Sequence, residues 1–340
     1  MTTHARDGQL LVTFREGKGV PHWQARHAAS HVPGAWPYGL DQLRQDGRVV
    51  RAVEAPTLGP VAGRLARVRT PGRRGRAGTA LCWDESTALP MLAGVRARSY
   101  FSGVIWVTDQ VAARGEDRTT AALRRALRTM DGLWVLSRPQ AEAVREWLGP
   151  DSPPVHFLRF GVDETFYAPA EQPATPHVVS VGGDRDRDPR TLFAALEIVR
   201  TRRPDARLTV QTSSTQTPPD GVTVVPRLTH VEVRDLLASA TVVAIATRPN
   251  LHASGMTVGL EAMSTGRPVV VSATPGMEDY FPADAATLVP PQDAPAMAAA
   301  ILDLLDDPGV AAQRGGRGRV AVEERHTTAI MCRSLAGIVG

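Results

Sequence analysis

Short apolar runs separated by helical stretches constrain this chain more than any other feature of its sequence. In the first half, LLVTF (10–14), RVVRAVE (48–54), TALCW (79–83), GVIWVT (103–108) and GLWVLS (132–137) read as strands. RVVRAVE alternates. The others are close to continuous, which suits strands buried on both faces of a parallel sheet. Helical patterns at 86–95, 118–130 and 138–148 fall between the later strands. The second half repeats the scheme, with strands at 177–182, 206–212, 222–225, 241–247, 267–272 and 286–290. Helices are expected at 190–201, 230–239, 257–264 and 295–305, with a helical tail over 310–339. Strand–helix alternation of this kind argues for βαβ units and a parallel sheet.

At 340 residues the chain exceeds the usual size of one domain. Residues 161–176, GVDETFYAPAEQPATP, hold three prolines and no periodicity and read as a linker. The expected organisation is two doubly wound, Rossmann-like α/β domains, 1–160 and 177–325, joined by that linker. A last helix, 326–340, is expected to pack back on the first domain. Ligands of such folds bind outside the carboxyl ends of the strands, so the expected site is a cleft between the two domains.

Apolar residues make up 43% of the chain and charged residues 22%, which fits a soluble globular protein. Two cysteines, Cys82 and Cys332, are no disulfide framework. The opening MTTHARDGQL has no signal-like apolar run, and nothing approaches the ~18 apolar residues of a membrane span. A cytoplasmic location is expected. The net charge is +4, and Lys18 is the only lysine. Any cation that meets phosphate here is therefore an arginine, which binds it bidentately, or a backbone dipole. Arg64, Arg67, Arg69, Arg73, Arg74 and Arg76 form one basic patch among Gly and Pro. It reads as a solvated loop or as a means of capturing an anionic acceptor or an acidic membrane surface. No nucleic-acid recognition motif accompanies it.

Three loops leave strand ends in the second half. The first is Gly182-Gly183-Asp184-Arg185-Asp186-Arg187-Asp188, where two glycines allow close backbone approach and two arginines could neutralise a diphosphate. A tight turn with a solvated, alternating-charge surface is the plainer reading. The second, Arg248-Pro249-Asn250-Leu251-His252-Ala253-Ser254-Gly255, feeds a helix carrying Glu261. A loop entering a helix N-terminus beside a parallel strand is a ready anion site. His252 alone reads equally as an exposed flanking residue. Glu261, among small and apolar neighbours, should be paired or exposed, with a ribose or a cation as partner. The third loop is Thr274-Pro275-Gly276-Met277-Glu278-Asp279.

The second half resembles the donor-binding domain of the family 4 retaining glycosyltransferases, which have the GT-B architecture. The resemblance rests on Leu136–Gln140 (LSRPQ), on Phe160–Pro169 (FGVDETFYAP) and on Val181–Leu192. It rests above all on Gly259-Leu260-Glu261-Ala262-Met263 through Pro268-Val269-Val270, followed by Pro275–Glu278. It covers about residues 130–339 well and the first 130 weakly. It implies that Glu261 binds the nucleotide ribose and that Arg187 stands where the family has a phosphate-binding lysine. Arg185 would stand in for an arginine whose place is glycine here. Leu228 would meet the base through its backbone. Gly182, Gly183, Ser254, Gly255, Met256 and Thr257 would line the nucleotide sugar, with Arg185, Arg187 and His252 as the catalytic group. The family's companion glutamate would fall at position 253, which is Ala253.

In the first domain, residues 15–23 resemble a glycine-rich loop facing the donor phosphates, and read equally as a flexible surface loop. Acceptor-side candidates are Gly17, Gly19, His22, Asp84, Glu85 and Asp109, with Trp23, Trp36 and Tyr38 offering aromatic faces. The expected activity is transfer of a sugar from a nucleotide-sugar donor, UDP-linked in preference to GDP- or dTDP-linked, with no metal. The acceptor would be a small molecule, a glycan or a lipid. The alternatives are a nucleotide-sugar epimerase of the same architecture and a non-catalytic nucleotide-sugar-binding protein.

Overall fold

The computed structural model describes residues 3, 4, 6, 8–17, 20–46, 48–55 and 78–340. The arginine patch at 64–76 and Gly19 lie outside the described residues. The chain divides into two compact units. One comprises Met1–Ser30, Gly34–Leu158 and Met331–Gly340, the other His31–Pro33 and Arg159–Ile330.

In the first unit the strands of the main sheet are β1 (Gln9–Arg15), β2 (Val49–Ala55), β3 (Thr79–Cys82), β4 (Ser99–Gly103), β5 (Gly132–Val135) and β6 (Val155–Phe157). They form one six-stranded parallel sheet in the order β2-β1-β3-β4-β5-β6. Its helices include α1 (Val20–Ala28), α2 (Ala88–Gly94), α3 (Val107–Arg114), α4 (Arg118–Leu127) and α5 (Arg138–Leu148). Leu11, Ala80, Met91, Leu127, Leu133 and Val144 pack together at no exposure, which is why the runs that form β1, β3 and β5 carry so few polar residues.

One sequence expectation is corrected here. GVIWVT is not a strand: β4 ends at Gly103 and α3 begins at Val107. The cause is Glu85. Its carboxylate accepts the N–H of Ile105 at 2.8 Å and those of Trp106 and Val107 at 2.7 Å. Three consecutive N–H groups turned onto one carboxylate cannot also serve a ladder. Asp109 consequently sits in the first turn of α3 rather than at a strand end. A second correction concerns residues 15–23, where α1 starts at Val20 and carries His22 and Trp23 on a helix. Only Glu16 and Gly17 remain as a described turn, with Gly17 at φ 76°.

The second unit has β7 (His177–Val181), β8 (Arg207–Gln211), β9 (Val222–Val225), β10 (Val242–Ile245), β11 (Val269–Ser272) and β12 (Ala286–Val289). All pair in parallel, in the order β9-β8-β7-β10-β11-β12. Helices α6 (Pro189–Arg202), α7 (His230–Ala238), α8 (Met256–Ser264), α9 (Ala294–Asp306) and α10 (Pro308–Arg325) surround it, and α11 (Thr328–Ile338) ends the chain. The expected tail helix is broken at His326 and Thr327, where Val162 N donates to His326 O and Thr328 N to Val162 O. Val269, Val270 and Val271 are all fully buried. Val178, Leu196, Val210 and Val270 share one cluster with Met297 and Ile301 of α9. Residues 168–176 form neither helix nor strand, as the prolines require.

Candidate functional site

The sheet of the second unit reverses its winding between β7 and β10. Loops leaving the carboxyl ends of two such strands flank the crevice where open α/β sheets bind ligands. Here they are residues 182–188 and 246–255.

Arg187 occupies the centre of this crevice, with a side chain only 10% exposed. A Cβ at Gly182 would lie 2.3 Å from Arg187 Nη2. A Cβ at Gly255 would lie 3.2 Å from Arg187 Nη1 and 2.5 Å from Ile245 Cγ2. Both glycines have positive φ, 149° and 87°. The guanidinium thus lies in a slot that exists because neither position bears a side chain. Asp184 closes the slot, with Arg187 Nε donating to Asp184 Oδ2 at 3.2 Å. The two oxygens of Asp184 also accept Ser254 Oγ at 2.8 and 2.9 Å, and Oδ1 accepts the N–H of Asp186 at 2.9 Å. Against the burial that opposes it, Arg187 and then these donors hold the Asp184 carboxyl below its usual range. Burial lowers the pKa of Arg187, while Asp184 and Glu261 pull the other way.

The second loop is held from within. Ser254 N donates to Asn250 Oδ1 at 2.9 Å, and Asn250 Nδ2 donates to Arg248 O at 2.8 Å. Buried His252 lies with Nδ1 3.8 Å from Asp186 Oδ2. Asp186 also receives Arg185 Nε at 3.0 Å, so the partly exposed Arg185 side chain folds onto its neighbour. Gly255 then enters α8 in the left-handed conformation with no side-chain cap. Ala253 is buried with φ 54°, and its carbonyl accepts Met256 N at 3.0 Å. The N–H groups of Thr257 and Val258 in the first helical turn give this end partial positive charge. A small cavity at the carboxyl ends of β7 and β8 is lined by Gly182, Arg187, Asp188, Gln211, Thr212 and Ala246.

Glu261 lies farther along α8, 8% exposed. Burial pushes its carboxyl up to about 7, against Tyr167 and Arg187, which draw it down. The Tyr167 hydroxyl is close enough for the two groups to shift each other's ionisation, although no hydrogen bond of ordinary geometry joins them.

The structure brings Gly182, Gly183, Arg185, Arg187, His252, Ser254 and Gly255 to one pair of loops, with Met256 and Thr257 in the first turn of the helix they feed. Leu228 lies apart, half-buried between β9 and α7, at the same sheet edge but two strands from β7. In the third loop Gly276 (φ 89°) starts a short turn, Met277–Asp279, and Glu278 is exposed. In the first unit, His22 is exposed on α1. Asp84 is an N-cap, accepting Ser86 N at 2.9 Å. Glu85 is buried on its three backbone donors, and burial raises its carboxyl to about 7. Trp36 is a core residue at 2% exposure, packed edge-on to Phe14. Tyr38 stacks on Trp83 at 4.5 Å and is 45% exposed, and Trp106 is 40% exposed.

Sequence reasoning did not single out Asp184, Asn250 or Tyr167. Asp184 meets Ser254 across 70 positions and Tyr167 meets Glu261 across 94, and no local pattern carries such pairings. The one available signal was a carboxylate inside a loop whose glycines and arginines already suggested an anion.

Residues 175–307 match the family model for "Glycosyl transferases group 1". No curated protein sequence matches the chain. Among solved structures, sucrose-phosphate synthase (tll1590) from Thermosynechococcus elongatus superposes with a TM-score of 0.69 at 18% identity, covering 98% of each chain. Anabaena Alr3699/HepE in complex with UDP-glucose gives 0.66 at 15% identity, over 97% of this chain and 98% of that one. TarM of S. aureus, in complex with Fondaparinux, alpha-GlcNAc-glycerol and UDP, gives 0.62 at 14% identity, over 77% of this chain and 55% of that one. Residues 175–307 of the second unit are thus similar to the group 1 glycosyl transferases, and the chain is an enzyme with the GT-B fold.

Proposed function

We propose that this enzyme transfers a sugar from a nucleoside-diphosphate sugar to an acceptor hydroxyl, with retention. The observation that carries the reading is the Arg187 slot: a buried guanidinium between two side-chain-free positions, beside an uncapped helix N-terminus. A cation and helical N–H groups converging at a switch point suit a diphosphate, and they stabilise the charge that develops on it as it leaves. Arg185, on the same loop, adds charge nearby. Glu261 accepts the ribose hydroxyls, and the Leu228 backbone meets the base. Gly182, Gly183, Ser254, Met256 and Thr257 line the donor, and His252 faces it from the second loop. UDP is the favoured carrier, in keeping with the UDP and UDP-glucose held by the similar folds.

The departing diphosphate takes the acceptor proton, so the chemistry needs no dedicated general base and no metal. The acceptor belongs to the first unit, at the carboxyl edge of β3 and β4. Tyr38 and Trp106 present aromatic faces there, with Asp84 beside Trp83 as the hydroxyl-binding carboxylate. Gly17, His22 and Asp109 are the outer candidates. Glu85 is committed to the backbone and serves structure.

Calorimetry with UDP, GDP and dTDP tests the donor site. Wild-type protein binds one of them, and Arg187→Ala loses at least about tenfold in affinity while its thermal unfolding shows a folded protein. Equal binding by the variant removes the assignment. Incubation with UDP-glucose, with and without added acceptor glycosides, separates transfer from epimerisation and from mere binding.

A further inference from the structure

A carboxylate in the middle of an anion site calls for a reason. Asp184 is ionised, only 28% exposed, and directly on the one buried cation that the donor reading assigns to a diphosphate. Its position is not an accident of a mobile side chain. Ser254 Oγ, the Asp186 N–H and Arg187 Nε fix both of its oxygens. Gly182 and Gly255 wall the guanidinium on two further sides.

Resting on the donor-site reading, we propose that Asp184 is the internal counter-anion of Arg187: it holds the guanidinium while the site is empty and repels the diphosphate when the site is full. The charges around the group agree. Arg187 is the cation in contact with it, and His252 lies at the next remove, beside Asp186. Asp186 itself is paired with Arg185. Glu261 acts on Arg187 from α8. A diphosphate entering this crevice meets a cation whose charge is already balanced. It binds less tightly than it would to a bare arginine, and as it departs Asp184 takes the guanidinium back. A site that must release a nucleoside diphosphate after every transfer gains turnover from such a device at the expense of affinity.

The sign of the effect makes this testable. Asp184→Asn keeps the shape, the Oδ1 acceptor for Ser254 and Asp186 N, and the glycine walls, and it removes the negative charge together with the Oδ2 acceptor of Arg187 Nε. Titration calorimetry with UDP and with UMP, on wild-type protein and on Asp184→Asn, reads the result. The expected outcome is UDP binding at least fivefold tighter in the variant, with a smaller gain for UMP, because the effect follows the charge of the ligand. Asp184→Ala, checked by its thermal unfolding, should change UDP affinity in the same direction. Unchanged or weaker UDP binding in a folded Asp184→Asn protein overturns the inference and assigns Asp184 to orienting Arg187. Wild-type protein that binds no nucleoside diphosphate overturns the donor-site reading itself, and this inference with it.

Discussion

Each unit carries a helix whose N-terminus opens at the carboxyl edge of its sheet, and the two are finished differently. At the start of α3 the chain supplies its own anion: the Glu85 carboxylate takes the N–H groups of Ile105, Trp106 and Val107. At the start of α8 there is no side-chain cap, a left-handed glycine leads in, and a buried arginine stands beside the opening. Both ends have the partial positive charge common to helix N-termini. One is taken up in folding; the other, on the proposed donor reading, is left for a diphosphate. A helix start at a strand end therefore identifies an anion site only when the chain has not already filled it.

The largest effect expected from breaking this contrast is at the filled end. Glu85→Ala strands three N–H groups, two of them buried, and with each buried one worth roughly 1–3 kcal/mol before relaxation, the first unit should lose about 3 kcal/mol or more. All six tryptophans lie in that unit, so tryptophan fluorescence during urea unfolding reports it alone. UDP affinity, which the proposed donor site places in the second unit, should not follow the loss at concentrations of urea where the first unit remains folded. A Glu85→Ala protein as stable as wild type would mean that the three bonds contribute nothing net.

At the open end a smaller change should act on both stability and binding. Gly255→Ala places a Cβ 2.5 Å from Ile245 Cγ2 and imposes φ 87° on a residue with a side chain. That should cost ~2 kcal/mol from the backbone conformation alone, with the steric contact in addition. It also narrows the Arg187 slot, so UDP affinity should fall at least about tenfold. Loss of stability without loss of affinity would separate the slot from the binding function.

The same contrast explains which parts of the fold were legible in the sequence. Strands β10 and β11 announce themselves because burial on both faces favours an unbroken apolar run, as in Val269-Val270-Val271. The run 103–108 has the same composition and is not a strand, because its partner is a carboxylate 20 positions earlier and composition does not encode partners. Helix α1 was missed for the opposite reason: it buries only Val20 and so has no apolar stripe to recognise. In the site, glycines and arginines mark the loops because their conformational and charge properties are local. The grip of Asp184 on Ser254, or the proximity of Tyr167 to Glu261, comes from the topology that brings separate loops to one edge.

The smallest expected effect compares the two buried carboxyls directly. Burial raises both Glu85 and Glu261 to about 7 from an ordinary value of 4.5. Between those limits the folded protein keeps protons that the unfolded chain has lost, so stability is fully present below about pH 4.5 and declines as pH rises through 7. For Glu85 the decline should amount to roughly 1–2 kcal/mol between pH 5 and pH 8, and Glu85→Gln should flatten it in the tryptophan-detected transition. Glu261 should reveal itself instead through the ligand. Its ionised form is the better acceptor for ribose hydroxyls, so UDP affinity should rise severalfold from pH 6 to pH 8, over and above the second ionisation of the terminal phosphate. Glu261→Gln, measured over the same range, retains only the phosphate contribution. If wild type and Glu261→Gln show the same pH dependence, Glu261 does not touch the ribose. The carboxyl at the open end would then be, like the one at the filled end, a structural group.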